Sequence, residues 1–230
     1  MGKRIHDYAS DGIQVIYDAN RCIHAAACVH GLPSVFDPDR RPWVDPDAAV
    51  ADAIAGVIER CPTGALRFER LDGGPAESAP ADSVVTVASD GPLYVKGDLR
   101  IGGATGEPGG SAAEEARVEY RAALCRCGES ANKPYCDNTH QECGFSDAGA
   151  LDPGRGTALE GGGSDTVASG PLTVTEAPNG PLLFGGMVEL RSGDEATRIL
   201  VESPALCRCG HSRDKPFCDG THFSVGFQAD

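Results

Sequence analysis

Ten cysteines are spread through this chain of 230 residues, and six of them fall in two copies of one repeated pattern. CRCGESANKPYCDNTH runs from Cys125 to His140, and CRCGHSRDKPFCDGTH from Cys207 to His222. Each sets out Cys-x-Cys, eight residues, Cys, three residues, His. Thiolates are soft ligands that suit zinc and iron–sulfur clusters, and imidazole suits both. In an extended chain Cys125 and Cys127 point to opposite sides, so a turn must bring both sulfurs to one site. Gly128 and Gly210 supply the freedom for that turn. Cys136 and His140, like Cys218 and His222, are four apart, which predicts one face of a helical turn. Asp137 and Asp219 stand where a carboxylate caps the free N–H groups of such a turn. Pro134 and Pro216 stiffen the approach. Spacing alone leaves a tetrahedral Cys3His zinc site and an iron–sulfur cluster both open.

The arrangement resembles the CDGSH iron–sulfur family, the mitoNEET-like proteins, whose pattern is C-x-C-x2-[S/T]-x3-P-x-C-D-G-[S/A/T]-H. The second copy fits at Cys207, Cys209, Ser212, Pro216, Cys218, Asp219, Gly220, Thr221 and His222. The first departs once, with Asn138 in place of Gly. Asn tolerates left-handed backbone angles better than most residues, so this site is expected to form as well. The resemblance implies a [2Fe–2S] cluster in each copy. One iron would take Cys125 and Cys127 (or Cys207 and Cys209), the other Cys136 and His140 (or Cys218 and His222). It also implies a higher potential than all-thiolate ligation gives, and a histidine for which protons compete with iron. The family fold is a small dimeric β structure, so two motifs in one chain imply an internal pseudo-dimer, in a monomer or a homodimer. Cys143 follows His140 by three residues, where the second copy has Val225. It is expected to be a small buried side chain and not a ligand.

A third group lies upstream. A bacterial ferredoxin binds with C-x2-C-x2-C and a remote Cys-Pro. Cys22 and Cys28 occupy the outer positions of that run, Ala25 the middle one, and Cys61-Pro62 is the remote pair. Residues 10 to 70 therefore look like a divergent single-cluster ferredoxin domain. Three thiolates can hold a [3Fe–4S] cluster, or a [4Fe–4S] cluster whose fourth iron takes water, His24 or an outside ligand. His24 is off register by one and fits a surface histidine better.

The elements that must position these residues can be read from alternation and turns. GIQVIYD and GALRFER read as strands, and DPDAAVADAIAGVIERC reads as a helix from near Asp47. LDGGPAESAPADS, from Leu71 to Ser83, is a small, polar linker. Beyond it SVVTVA, PLYVKGDLRI, ARVEYRAAL, PLTVTE and TRILVE alternate like strands. DGPLYVKGDLRI matches NGPLLFGGMVEL, and RVEYRAALCRCG matches RILVESPALCRCG with one inserted residue, which indicates duplication. Gly103 to Ala116 and Gly149 to Asp165 read as long loops. The expected class is α+β: a ferredoxin-like domain over 1–72, then two mainly-β repeats over 83–148 and 165–230 forming the pseudo-dimer.

Composition narrows the function. Glycine and proline, 30 and 16 residues, point to a loop-rich, β-leaning protein. A formal charge of −14 repels phosphate backbones, which excludes nucleic acid, and suits a basic-surfaced redox partner protein. There is no apolar run long enough to span a membrane. The first residues lack the apolar segment of a secretory signal, so a reducing, cytoplasmic setting is expected, with cysteines serving metals before disulfides. No nucleotide-binding glycine loop or nucleophile–base set stands out, so no catalytic residue is assigned. The leading expectation is a soluble electron carrier. Cluster storage or transfer, redox or pH sensing, and a zinc-stabilised interaction module are the alternatives.

Overall fold

The computed structural model describes residues 4–102, 117–159 and 170–229, and the loop expected at 103–116 and part of that at 149–165 lie outside them. The chain divides into two compact units, Met1–Ser78 and Ala79–Asp230.

In the first unit, alternation puts Ile13 and Val15 of β2 (Ile13–Asp18) and Leu66 and Phe68 of β3 (Leu66–Arg70) into one core. The strands pair antiparallel, Val15 opposite Phe68, and β1 (Ile5–Ala9) adds to the other edge of β2, giving the order β1-β2-β3. The composition of β1 hides it, because four of its five residues are exposed and the period-2 signal is missing. Asp11-Gly12 in the turn before β2 is the hairpin signal that could have found it.

A short helix α1 (Ala27–Gly31) follows Cys22 and carries Cys28, and α2 (Ala51–Ile58) brings Ile54, Val57 and Ile58 to the same core. The helix expected from Asp47 starts later. Asp45 accepts the Asp47 N–H and closes a separate 3-10 turn over Pro46–Ala48. Ala49 and Val50 are then extended, so the α-helical ladder begins at Ala51.

Among the described residues, the second unit forms one nine-stranded sheet. Its strands are β4 (Val84–Val87), β5 (Leu93–Ile101), β6 (Arg117–Leu124), β7 (Thr157–Ala158), β8 (Leu172–Glu176), β9 (Leu182–Gly185), β10 (Met187–Ser192), β11 (Arg198–Glu202) and β12 (Ala205–Leu206). β5 is one strand in the first repeat, and its counterpart is split into β9 and β10 at Gly185-Gly186. Gly186 has φ 113° and its equivalent Gly97, at a bulge in β5, has φ 156°.

At that glycine each repeat changes partner. β4 pairs antiparallel with the near half of β5, as in Val85 opposite Val95, and parallel with β10 of the other repeat, as in Val85 opposite Leu190. β8 does the same, antiparallel with β9 and parallel with the far half of β5, where Val174 meets Ile101. The halves are thus exchanged, and their alternating residues make one shared core of Val85, Val95, Leu99, Leu172, Phe184 and Val188 among others.

Registers also correct the repeat alignment. Ile101 faces Arg117, and its counterpart Leu190 faces Ile199, while Leu93 faces Leu124 and its counterpart Leu182 faces Leu206. β6 and β11–β12 therefore superpose at a constant offset of 82 residues, the offset of the cysteines, with no insertion. Starting both segments at an arginine, Arg117 and Arg198, had suggested otherwise.

Candidate metal centres

Each Cys-x-Cys leaves the end of a strand, β6 or β12. Cys125 N–H donates to Pro134 O at 2.7 Å and Cys136 N–H to Ala123 O at 2.9 Å, which clamps the second half of the motif against the strand end. Cys207 with Pro216 and Cys218 with Ala205 repeat this at 2.8 and 2.9 Å. Inside the loop the Ser130 hydroxyl donates to Tyr135 O and accepts from Asn132 N–H, and Ser212 does the same with Phe217 and Asp214. Lys133 and Lys215 tie down the carbonyls of those serines.

These frames bring the donors together in pairs. The sulfurs of Cys125 and Cys127 lie 3.7 Å apart, those of Cys207 and Cys209 3.6 Å apart. Two thiolates about 2.3 Å from one tetrahedral metal sit about 3.8 Å apart, so each pair is spaced for a single metal. Cys136 Sγ is 3.3 Å from His140 Nδ1 and Cys218 Sγ 3.4 Å from His222 Nδ1, so Nδ1 is the ring nitrogen facing the site. Among the described residues no group of three or more Cys, His, Asp or Glu gathers around one ion.

The cysteine and histidine of each second pair meet, but not along one continuous helix. Asn138 (φ 73°) and Gly220 (φ 84°) are left-handed, and only then do the 3-10 turn Thr139–Gln141 and the short helix α3 (Thr221–Ser224) begin. The left-handed residue turns its N–H back to the preceding sulfur: Asn138 N–H points at Cys136 Sγ at 3.4 Å, Gly220 N–H at Cys218 Sγ at 3.5 Å. Asp137 and Asp219 cap as expected, accepting from Thr139 and Thr221 N–H with one oxygen and from Ala131 and Arg213 N–H with the other.

In each Cys-x-Cys one thiol is arranged to lose its proton at the expense of the other. Cys125 and Cys207 are each lowered to about 6 by the hydrogen bond from the neighbouring thiol, and the same bond pushes Cys127 and Cys209 up. Burial pushes Cys136 up to about 11 and raises Cys218. Burial also lowers His140, favouring the neutral imidazole a metal requires. Soft sulfurs in pairs, one imidazole and N–H groups aimed at sulfur fit an iron–sulfur cluster.

In the N-terminal unit Cys22, Cys28 and Cys61 line one cavity whose other walls, Ile23, Ala25, Ala27, Trp43 and Leu66 among them, are largely apolar. Burial raises the Cys28 thiol, and the Thr63 hydroxyl lies 3.5 Å from Cys61 Sγ. A thiolate set in an apolar pocket with one partner oxygen also fits a cluster. His24 is exposed, with φ 56°.

The model of the "Iron-binding zinc finger CDGSH type" family matches residues 90–141 and 179–223, and that of the "Divergent 4Fe-4S mono-cluster" family matches 8–70. The uncharacterised protein YjdI of Escherichia coli K12 is 34% identical over 61 residues, 26% of this chain and 80% of YjdI, and YjdI of strain O157:H7 matches equally. The chain is a tandem CDGSH protein with a divergent single-cluster domain ahead of the repeats. No solved structure matches it. As a member of two iron–sulfur families, it is an iron–sulfur protein. Among the described residues, no helix is long and apolar enough to cross a membrane.

Two features of this CDGSH protein escaped the sequence. The arginine inside each Cys-Arg-Cys is 1% exposed. Arg126 donates to Gly91 O and Ala88 O and pairs with Asp147, and Arg208 donates to Gly180 O and Ala177 O and pairs with Glu176. Its recurrence between the cysteines was the available signal. Second, Gly128 and Gly210 do more than turn, although φ 89° and 82° show that they do. A Cβ on Gly128 would stand 2.7 Å from Cys209 O, and one on Gly210 would collide with Cys127 O. The two metal loops touch backbone to backbone. Cys143, expected to be buried, is exposed: its segment leaves the sheet after the 3-10 turn, and the equivalent Val225 is exposed too.

Proposed function

We propose that this protein is an electron carrier with two [2Fe–2S] clusters and one [3Fe–4S] or [4Fe–4S] cluster. The observation that carries the reading is the pairing of donors: two sulfurs at 3.7 Å, then a sulfur and an imidazole nitrogen at 3.3 Å, and the same again in the second repeat. Pairs of that spacing suit two metals, each with two protein ligands, better than one zinc with four. Cys125, Cys127, Cys136 and His140 hold the first cluster in this reading, and Cys207, Cys209, Cys218 and His222 the second. Cys22, Cys28 and Cys61 hold the third, in a ferredoxin-like manner that leaves one iron position to a non-protein ligand if four irons are present. Bound clusters supply one-electron chemistry. In each repeat the chain buries the Cys-x-Cys sulfurs, aims an N–H group at the third sulfur and sets a buried guanidinium behind the Cys-x-Cys. The excess of 34 acidic over 20 basic residues supports a basic-surfaced redox partner.

Iron and acid-labile sulfide per chain, measured on protein purified without oxygen, test this directly. About seven or eight iron with matching sulfide is the expected result. About four would leave the N-terminal cavity structural, and zinc without sulfide would overturn the reading. His222→Cys should retain a cluster, lower its potential and slow its loss in acid.

A further inference from the structure

Beside the cavity of the three cysteines, the N-terminal unit opens a larger cleft of about 740 Å³, within the range of small-molecule sites. Cys22 and Cys28 stand in its wall, so it abuts the proposed cluster site. Its chemistry differs from that of the chain around it. In a protein of net charge −14, no carboxylate lines this cleft, while Arg4, Arg41, His6 and His24 do, all exposed. Among the described residues neither Arg4 nor Arg41 forms an ion pair; Arg41 spends one nitrogen on the carbonyls of Pro38 and Arg40 and keeps the rest of its fork. The opposite character comes from half-buried aromatics. Trp43 lies edge-on to Tyr17 at 4.9 Å and to Tyr8 at 6.5 Å, and His6 stacks over Tyr17 at 6.3 Å.

Unpaired guanidinium forks recognise phosphate, and aromatic faces recognise planar rings. We propose that this cleft binds a planar heteroaromatic compound carrying a phosphate, of the flavin mononucleotide class, with the ring at Trp43 and Tyr8 and the phosphate at Arg4 and Arg41. The placement beside Cys22 and Cys28 makes the ligand a candidate electron source or sink. That use rests on the cluster reading above; binding itself does not.

Trp43 is the chain's sole tryptophan, so its emission reports on this cleft alone. Full-length protein of measured iron and sulfide content is titrated with flavin mononucleotide, riboflavin and inorganic phosphate, following Trp43 quenching and flavin polarisation. Flavin mononucleotide should saturate and bind at least about tenfold tighter than riboflavin. Arg4→Gln and Arg41→Gln should each weaken it about five- to tenfold and leave riboflavin unchanged, while Tyr8→Ala weakens both. Absence of saturable binding, indifference to both arginine substitutions, or phosphate alone binding as well as the flavin would each overturn the proposal. The iron content separates the two readings. Iron-replete protein that ignores the flavin sinks this ligand and leaves the cluster, and protein without N-terminal iron that binds it does the reverse.

Discussion

The two repeats share a skeleton and differ in what fills it. Both keep the serine that organises the loop, the lysine on its carbonyl, the aspartate cap, the N–H aimed at sulfur and the buried arginine. Around that frame the side chains have been exchanged. Tyr135 donates to the buried Glu119 at 2.8 Å, whereas the equivalent positions in the second repeat are Phe217 and Val201. Arg126 pairs with Asp147 from the segment after its motif, Arg208 with Glu176 from β8. Gln141 and Cys143 flank the first histidine; Phe223, 83% exposed and 4.1 Å from the His222 ring, and Val225 flank the second. What is held in common is what shapes backbone around sulfur and imidazole. What varies is packing behind the site and the surface in front of it, where the second repeat is the more apolar.

The largest expected effect comes from the place where the two metal loops touch. Gly210→Ala adds a left-handed penalty of about 1–2 kcal/mol and an overpacking cost of about 1–3 kcal/mol. The collision is with Cys127 of the other repeat, so iron should fall at both sites. Loss confined to the second site would show that the loops move independently.

Replacing the buried arginines sharpens the comparison. Arg208→Met strands Glu176, whose carboxyl burial already holds above its usual range in spite of the arginine, and should cost about 3 kcal/mol. Arg126→Met should cost less, since Asp147 keeps the Gly149 N–H at 2.9 Å. Denaturant melts of the two variants test the order. Adding Glu176→Gln to Arg208→Met should recover part of the loss; no recovery would mean that the stranded carboxylate is not the cause.

Exchanging the aromatic pair gives a smaller effect with a definite sign. Tyr135→Phe makes the first repeat resemble the second, yet it should cost about 1–2 kcal/mol by removing the hydroxyl that donates to the buried Glu119. Phe217→Tyr should also destabilise, by about 1–3 kcal/mol, because Val201 stands where the first repeat has the accepting Glu119. If either change is neutral in a thermal melt, the side chains behind the sites are interchangeable and the pairing argument fails.

Much of the site was legible because its chemistry is local. Cys-x-Cys, a loop with Ser and Pro, and Cys-Asp-x-x-His contain their own caps and turns, so spacing predicted which sulfurs and imidazoles meet. Asn138 was expected to turn left-handed and does, at φ 73°. What sequence could not show is non-local. The exchange of strand halves at Gly97 and Gly186 follows from pairing between segments 105 residues apart in one case (Val84 with Glu189) and 73 in the other (Leu99 with Leu172). The burial of Arg126 depends on carbonyls about 35 residues upstream, at Gly91 and Ala88. β1 lacked a buried face to announce it, and the helix start was displaced because Asp45 caps a turn of its own.

Asn138 against Gly220 is the smallest difference and the cleanest one. Both residues occupy left-handed backbone, and a Cβ at Gly220 meets nothing within 4 Å, so sterics beyond the residue itself play no part. Relief of left-handed strain in Asn138→Gly, about 1 kcal/mol, is offset by the greater unfolded-state entropy of glycine, about 0.5–1 kcal/mol. The exchange in either direction should therefore be neutral within about 0.5 kcal/mol. Alanine is different, having neither the freedom of glycine nor the short polar side chain that lets asparagine bond locally in this region. Gly220→Ala should then destabilise by about 1 kcal/mol more than Gly220→Asn, with lower iron at the second site. Should asparagine and alanine lower the iron equally, tolerance of the left-handed turn is not what allows the first repeat to depart from the family pattern.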